Sequence, residues 1–249
     1  MKEILVSAKI LPGAYHNALE ALDKYGEYGP CSDYDTAQKE LAMTIVVEQP
    51  LAEPMISKLF LGDPRSLEQY RQEILYGILD FEIERGNWHY TYHRRMEEQI
   101  PWVKEELQRN PDSRRAVIDI RSPEDLESDS PACLQHIHYL VRDNALHCKT
   151  LFRSNDACKA TFMNMFALIL LQKSIADELG VEMGTYTHRA NSFHCYERDF
   201  GLLGGYLNRI EGAKNADELC YSYEDDWREL MEDSQEEIQQ LVDQLKNKR

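Results

Sequence analysis

Four short segments carry residue types that do chemistry. The first, "SPACLQ" (130–135), sets Cys133 behind a proline and a small residue and ahead of a strand-like run. A thiol placed there is either a small buried hydrophobe or a nucleophile at the mouth of a site. The second, "NPDSRR" (110–115), is a turn that delivers Arg114 and Arg115 to a strand start. Neighbouring strand residues point to opposite faces, so the pair reads as surface charge or as one structural and one ligand-facing arginine. The third, "LFRSNDACK" (151–159), ends a strand in Arg153, Ser154 and Asp156 ahead of a helix. Guanidinium, hydroxyl and helix-start N–H groups together suit a phosphate, while the plain alternative is an N-cap beside a surface arginine. The fourth, "NSFHCY" (191–196), sets His194 and Tyr196 two apart. Both can reach a hydroxyl, or they open a helix behind a Ser192 cap.

The elements that must position these groups mix strand and helix periods without regular alternation. Strand patterns run over 3–10, 40–48, 114–121 and 181–188, and 134–153 reads as a hairpin around Asp143–Asn144. Helix patterns run over 13–26, 63–86, 94–113 with an interruption near Pro101, 160–180 and 192–210. The tail, 233–249, reads as a charged amphipathic helix packed on its own domain. No repeat, low-complexity linker or boundary stands out. The expected fold is therefore α+β: a single domain over 1–249 with a mixed, largely antiparallel sheet covered by helices.

Composition narrows the function classes. At 249 residues and 43% hydrophobic the chain can bury a sizeable core. Its longest apolar run, "MFALILL" (165–171), is far short of the roughly 18 residues a membrane helix needs. No signal peptide stands out, and the six cysteines form no C-x-x-C pair, so reduced thiols and a cytoplasmic location are expected. A net charge of −16 argues against nucleic acid as a partner. The arginines nevertheless gather mid-chain, at 94, 95, 109, 114, 115, 121 and 153, where they suit a small anion. No metal is expected.

The intervals between the four segments say more than any one of them. Arg153 follows Cys133 by 20 residues, Asp156 by 23, Asn164 by 31 and His194 by 61. With "NPDSRR" ahead, this pattern resembles the thymidylate synthase superfamily of pyrimidine nucleotide methyltransferases and hydroxymethyltransferases. The resemblance runs from about residue 110 to 196, extends more loosely into "PLAEP" and "WHYTYHRRM", which look like the shorter archaeal-type members, and fades over the tail.

The resemblance implies a mechanism. Cys133 would add as thiolate to carbon 6 of the pyrimidine, making carbon 5 the nucleophile that takes the methylene group of methylenetetrahydrofolate. Arg153 would lend the thiolate its positive charge and, with Ser154, hold the phosphate of a pyrimidine nucleoside monophosphate. Arg114 and Arg115 would reach that phosphate from the other subunit of a homodimer. Asn164 would read the base, and an amide there favours uracil. His194 and Tyr196 would bind the sugar 3′-hydroxyl, and Asp156 would face the folate pterin. Glu73 in "QEILYGIL" and Tyr92 would organise proton transfer, with Trp88 beside the cofactor. Leu134 stands where familiar relatives carry histidine, Ala160 where they carry glycine, and no basic N-terminal loop or apolar C-terminal segment of the common type is present. The expected reaction is dUMP to dTMP. The alternatives are 5-hydroxymethylation of dUMP, dCMP or CMP, with water ending the reaction, and a non-catalytic nucleotide-binding dimer.

Overall fold

The computed structural model describes residues 1–247; the last two positions of the expected tail helix, Lys248 and Arg249, lie outside the described residues. In chain order the strands are β1 (Glu3–Ala8), β2 (Glu27–Cys31), β3 (Thr36–Val47), β4 (Ile56–Ser57), β5 (Val117–Asp119), β6 (Leu134–Arg142), β7 (Ala145–Phe152), β8 (Asn155–Asp156), β9 (Glu182–Tyr196) and β10 (Cys220–Tyr221). The helices are α1 (Leu11–Tyr25), α2 (Pro64–Tyr76), α3 (Phe81–Glu84), α4 (Tyr92–Met96), α5 (Gln99–Arg109), α6 (Thr161–Leu179), α7 (Phe200–Gly212), α8 (Arg228–Asp233) and α9 (Gln235–Asn247).

The main sheet has the order β1-β3-β9-β7-β6-β5, with β2 added on β3 and β8 on β9. It is mixed: β3 runs parallel to β1, and β9 parallel to β7 and β8, while the β2–β3, β3–β9, β5–β6 and β6–β7 pairs are antiparallel. The hairpin expected at Asp143–Asn144 forms, both residues having positive φ as a two-residue turn requires. Helix α6 packs against this sheet and buries Phe162, Met165, Phe166 and Ile169, which explains why its apolar residues nearly encircle it. One buried apolar cluster extends from Leu11 to Met231.

Three expectations need correction. The segment "NSFHCY" continues β9, because its backbone pairs with β3 and β8; the next α-helix starts only at Phe200. Ser192 is accordingly not an N-cap, and its hydroxyl donates to Glu40. The helix expected over 63–86 stops at Tyr76, where Gly77 takes a left-handed φ of 61°. A Cβ on Gly77 would collide with the side chains of His93 and Asp80, which are hydrogen-bonded to each other at 2.6 Å. The third helix, expected to be interrupted near Pro101, breaks at residues 97–98 between α4 and α5, and Pro101 itself sits in the first turn of α5, where a missing N–H costs little.

The tail helix packs on its own chain, as expected. Gln235 and Glu237 of α9 bond Glu68 and Arg65 of α2, and Arg85 donates to the Leu245 and Lys246 carbonyls. Among the described residues no helix is long and apolar enough to cross a membrane.

Candidate active site

Cys133 ends a loop where β6 begins. Its thiol is half-buried on the wall of a cleft of about 660 Å³, while the next side chain, Leu134, turns into the core. The loop is held by Arg153, one residue past β7. The Arg153 backbone N–H donates to the Cys133 carbonyl (2.8 Å), its Nη2 to the Pro131 carbonyl (2.8 Å) and its Nε to the Ala132 carbonyl (3.1 Å). Tyr92, at the start of α4, accepts the Leu134 N–H on its hydroxyl at 3.3 Å. The nucleophile candidate therefore sits between an arginine anchor and a phenol.

The charge balance at Cys133 differs from the expected one. Arg153 lowers the thiol pKa as expected, but burial outweighs it and holds the thiol above its usual range. Burial also pushes the Tyr92 phenol up, followed by the influence of Cys133, so Tyr92 stays a neutral donor at working pH.

Six further expected residues line the same cleft: Arg153, Ser154, Asp156, Asn164, His194 and Tyr196. His194 and Tyr196 share one face because they are two apart on a strand. The His194 Nδ1 lies 3.2 Å from the Ser192 carbonyl, so it carries the proton and donates there, leaving Nε2 as an acceptor. That Nε2 is buried without a protein partner among the described residues. Burial lowers the His194 pKa, which keeps the ring neutral and the lone pair available. A buried, unpaired acceptor on a cleft wall calls for a ligand hydroxyl.

Asp156 is partly committed: its Oδ1 accepts the backbone N–H groups of Cys158 and Lys159, both at 2.9 Å. Those turn N–H groups are thus closed to a phosphate, contrary to the expectation from "LFRSNDACK". Asn164, in the first turn of α6, accepts the Tyr70 hydroxyl on Oδ1.

Glu73 and Trp88 fall outside the main cleft. They line a second cavity of about 210 Å³ with Ile74, Leu79 and Tyr90, and the two cavities share Tyr70 and Tyr92 as walls. Burial raises the Glu73 pKa, and a 2.9 Å hydrogen bond from Gln69 opposes it. Such a carboxyl is suited to passing a proton. The apolar and aromatic walls fit a flat heterocycle.

Arg114 and Arg115 line neither cavity. They precede β5 and are exposed, so strand alternation does not apply to them. The buried Ser113 turns them outward: its hydroxyl donates to Glu106 (2.7 Å) and accepts the Arg115 N–H (3.1 Å).

Several cleft residues were not singled out by motif spacing. Arg198 lies over the Tyr196 ring at 4.7 Å, and Asp33 and Tyr34 bring the β2–β3 connection to the cleft rim. Tyr70 had one usable signal, its position three residues before Glu73 on the same helix face. Asp80, His93 and Glu97 each place a potential metal ligand atom within 4.8 Å of the others, but Asp80 and His93 already bond each other directly.

The family model described as thymidylate synthase matches residues 76–216, more than half of the chain. This chain belongs to the thymidylate synthase family. A Methanocaldococcus jannaschii protein named "Putative thymidylate synthase" is 33% identical over 206 residues, covering 78% of this chain and 91% of that one. A Methanosarcina barkeri protein of the same name is 28% identical over 209 residues, covering 83% and 95%. The solved structure of thermostable thymidylate synthase A from Bacillus subtilis superposes with a TM-score of 0.65 at 16% identity, covering 82% of this chain and 84% of that one, which shows the shared fold. As a member of the thymidylate synthase family the protein is a one-carbon transferase. The family acts on a pyrimidine nucleotide, uses methylenetetrahydrofolate as co-substrate and is typically dimeric.

Proposed function

We propose that this protein, acting as one domain over 1–249 in the cytoplasm, converts dUMP to dTMP through a covalent adduct on Cys133. The observation that carries the reading is the convergence of Cys133, Arg153, Asn164 and a His194 Nε2 with no partner among the described residues on one cleft, which shares a wall with an aromatic-lined second cavity. A thiolate at Cys133 adds to carbon 6 of the ring. Asn164 bonds the base edge and stabilises the charge that develops there. His194 Nε2 accepts a hydrogen bond from the 3′-hydroxyl while Tyr196 supports the sugar. Ser154 and Arg153 face the phosphate, and Arg114 and Arg115 reach it from the partner subunit of a homodimer. Tyr92, on the wall between the cavities, and Glu73, behind it in the second cavity, move the carbon 5 proton. Methylenetetrahydrofolate supplies the one-carbon unit and then the hydride that reduces it to methyl, leaving as dihydrofolate, with Trp88 and Tyr90 beside its ring and Asp156 towards the pterin.

One feature favours a second reading, 5-hydroxymethylation. Helix α9 is docked on α2, so through Asn247 the tail does not fold over the cavities to exclude water. A product assay separates the readings. The protein is incubated with methylenetetrahydrofolate and each of dUMP, dCMP, UMP and CMP, and the product base is identified by mass. A methyl product with dihydrofolate supports the synthase, and a hydroxymethyl product with tetrahydrofolate supports the second reading. The absence of any covalent adduct on Cys133 with 5-fluoro-deoxyuridylate and the folate sinks both readings for dUMP, and the absence of any product from all four nucleotides leaves a nucleotide-binding dimer.

A further inference from the structure

Tyr70 takes no part in the reaction as described, yet it is the side chain that holds Asn164. It projects from α2 onto the wall shared by both cavities, and its hydroxyl donates to Asn164 Oδ1. A carboxamide has two orientations of nearly the same shape and opposite hydrogen-bonding sense. Asn164 is only 7% exposed, so solvent does little to make the two equivalent. Turning the amide over would set its NH₂ group against the Tyr70 hydroxyl, and the phenol proton would lose its acceptor at a largely buried position. Burial holds the phenol well above its ordinary range, so this proton is present at any working pH.

The base edges differ in the same sense. Uracil offers the acceptor O4 beside the donor N3–H, whereas cytosine offers the donor N4–H₂ beside the acceptor N3. One amide orientation pairs with one base, and the inverted orientation with the other. The position after the nucleophile adds no polar group, because Leu134 is fully buried in the core. Base choice therefore falls on Asn164 and on whatever fixes it. We propose that Tyr70 is a positioning residue that sets base preference, locking the Asn164 amide so that Nδ2–H meets uracil O4 and Oδ1 meets N3–H. This rests on the uracil nucleotide reading above. The same bond polarises the amide, making Nδ2–H a stronger donor to an oxygen that gains charge when the thiolate adds.

The test is the ratio of dUMP to dCMP handling, measured both as calorimetric affinity and as tritium release from carbon 5, in wild type, Tyr70→Phe, Asn164→Asp and the double variant. Tyr70→Phe keeps the ring and removes only the hydroxyl. It should lower the wild-type dUMP preference about 10-fold, as expected for one buried polar group released from its partner. The shift should vanish in the Asn164→Asp background, where no amide remains to orient. A ratio within about 2-fold of wild type in Tyr70→Phe overturns the proposal, as does an equal shift in both backgrounds. A purely structural Tyr70 would lower both nucleotides together and leave the ratio alone. A wild type that binds neither nucleotide overturns the functional reading itself, before any substitution is compared.

Discussion

Arg153→Lys separates two tasks carried by one side chain. The lysine keeps positive charge near Cys133 and loses the planar fork that now holds the Pro131 and Ala132 carbonyls from Nη2 and Nε. A flexible ammonium can hold one of these carbonyls but not both in one plane. A hydrogen bond from a charged donor is worth ~1.5–3 kcal/mol, so the substitution should cost about 2 kcal/mol of stability. Cys133 occupies the same loop, and a misplaced nucleophile loses on the order of 10²-fold in rate. Urea unfolding measures the first quantity and steady-state turnover the second. The pH dependence of Cys133 alkylation by iodoacetamide, read by mass on its peptide, follows the thiol itself. The expected result is lower stability, turnover down about 10²-fold and an alkylation curve unmoved along the pH axis. Turnover within about 3-fold of wild type with unchanged stability would show that charge alone is what Arg153 supplies, and would refute the anchoring argument.

Three other outcomes follow from the geometry. Burial disfavours the charged thiolate and so raises the Cys133 pKa, which means that alkylation of Cys133 should climb about 10-fold per pH unit from neutrality to beyond pH 8; a plateau below that pH contradicts it. His194→Phe removes the unpaired acceptor, so calorimetric affinity for a nucleotide bearing a 3′-hydroxyl should fall about 10-fold, to that of its 3′-deoxy analogue; equal losses for both ligands point elsewhere. Gly77→Ala puts a Cβ at a left-handed position against His93 and Asp80; with ~1–2 kcal/mol for the backbone and a broken side-chain bond, guanidinium unfolding should show a loss of about 3 kcal/mol, and a loss below about 1 kcal/mol would contradict the packing.

Much of the cleft was legible because the intervals from Cys133 to Asn164 cross one hairpin and one short turn, which leave little freedom in how the ends meet. The misreadings have tertiary causes. "NSFHCY" carries a helix-capping serine, yet its strand state comes from β3, where Glu40 and Gln38 pair with His194 and Tyr196 some 150 residues away in sequence. β2 was missed because "EYGPC" lacks alternation and contains both Gly29 and Pro30; as an edge strand on β3 it tolerates them. The outward turn of Arg114 and Arg115 depends on a buried Ser113–Glu106 bond that no local pattern announces. Tyr70 offered only its spacing to Glu73, and its bond to Asn164 is not legible locally because that partner lies on a different helix, 94 positions on.

The distribution of sulfur offers a direct gauge of occupancy. Cys148, Cys158, Cys195 and Cys220 are buried, whereas Cys31 and Cys133 are half-buried and both lie on the wall of the main cleft. A mild thiol reagent added to the folded protein thus has two accessible targets, and both are in the cleft. Counting labelled sulfurs by mass would then report whether the cleft is filled, with two tags on the empty protein, none once a nucleotide shields both, and more than two only when the fold itself has opened.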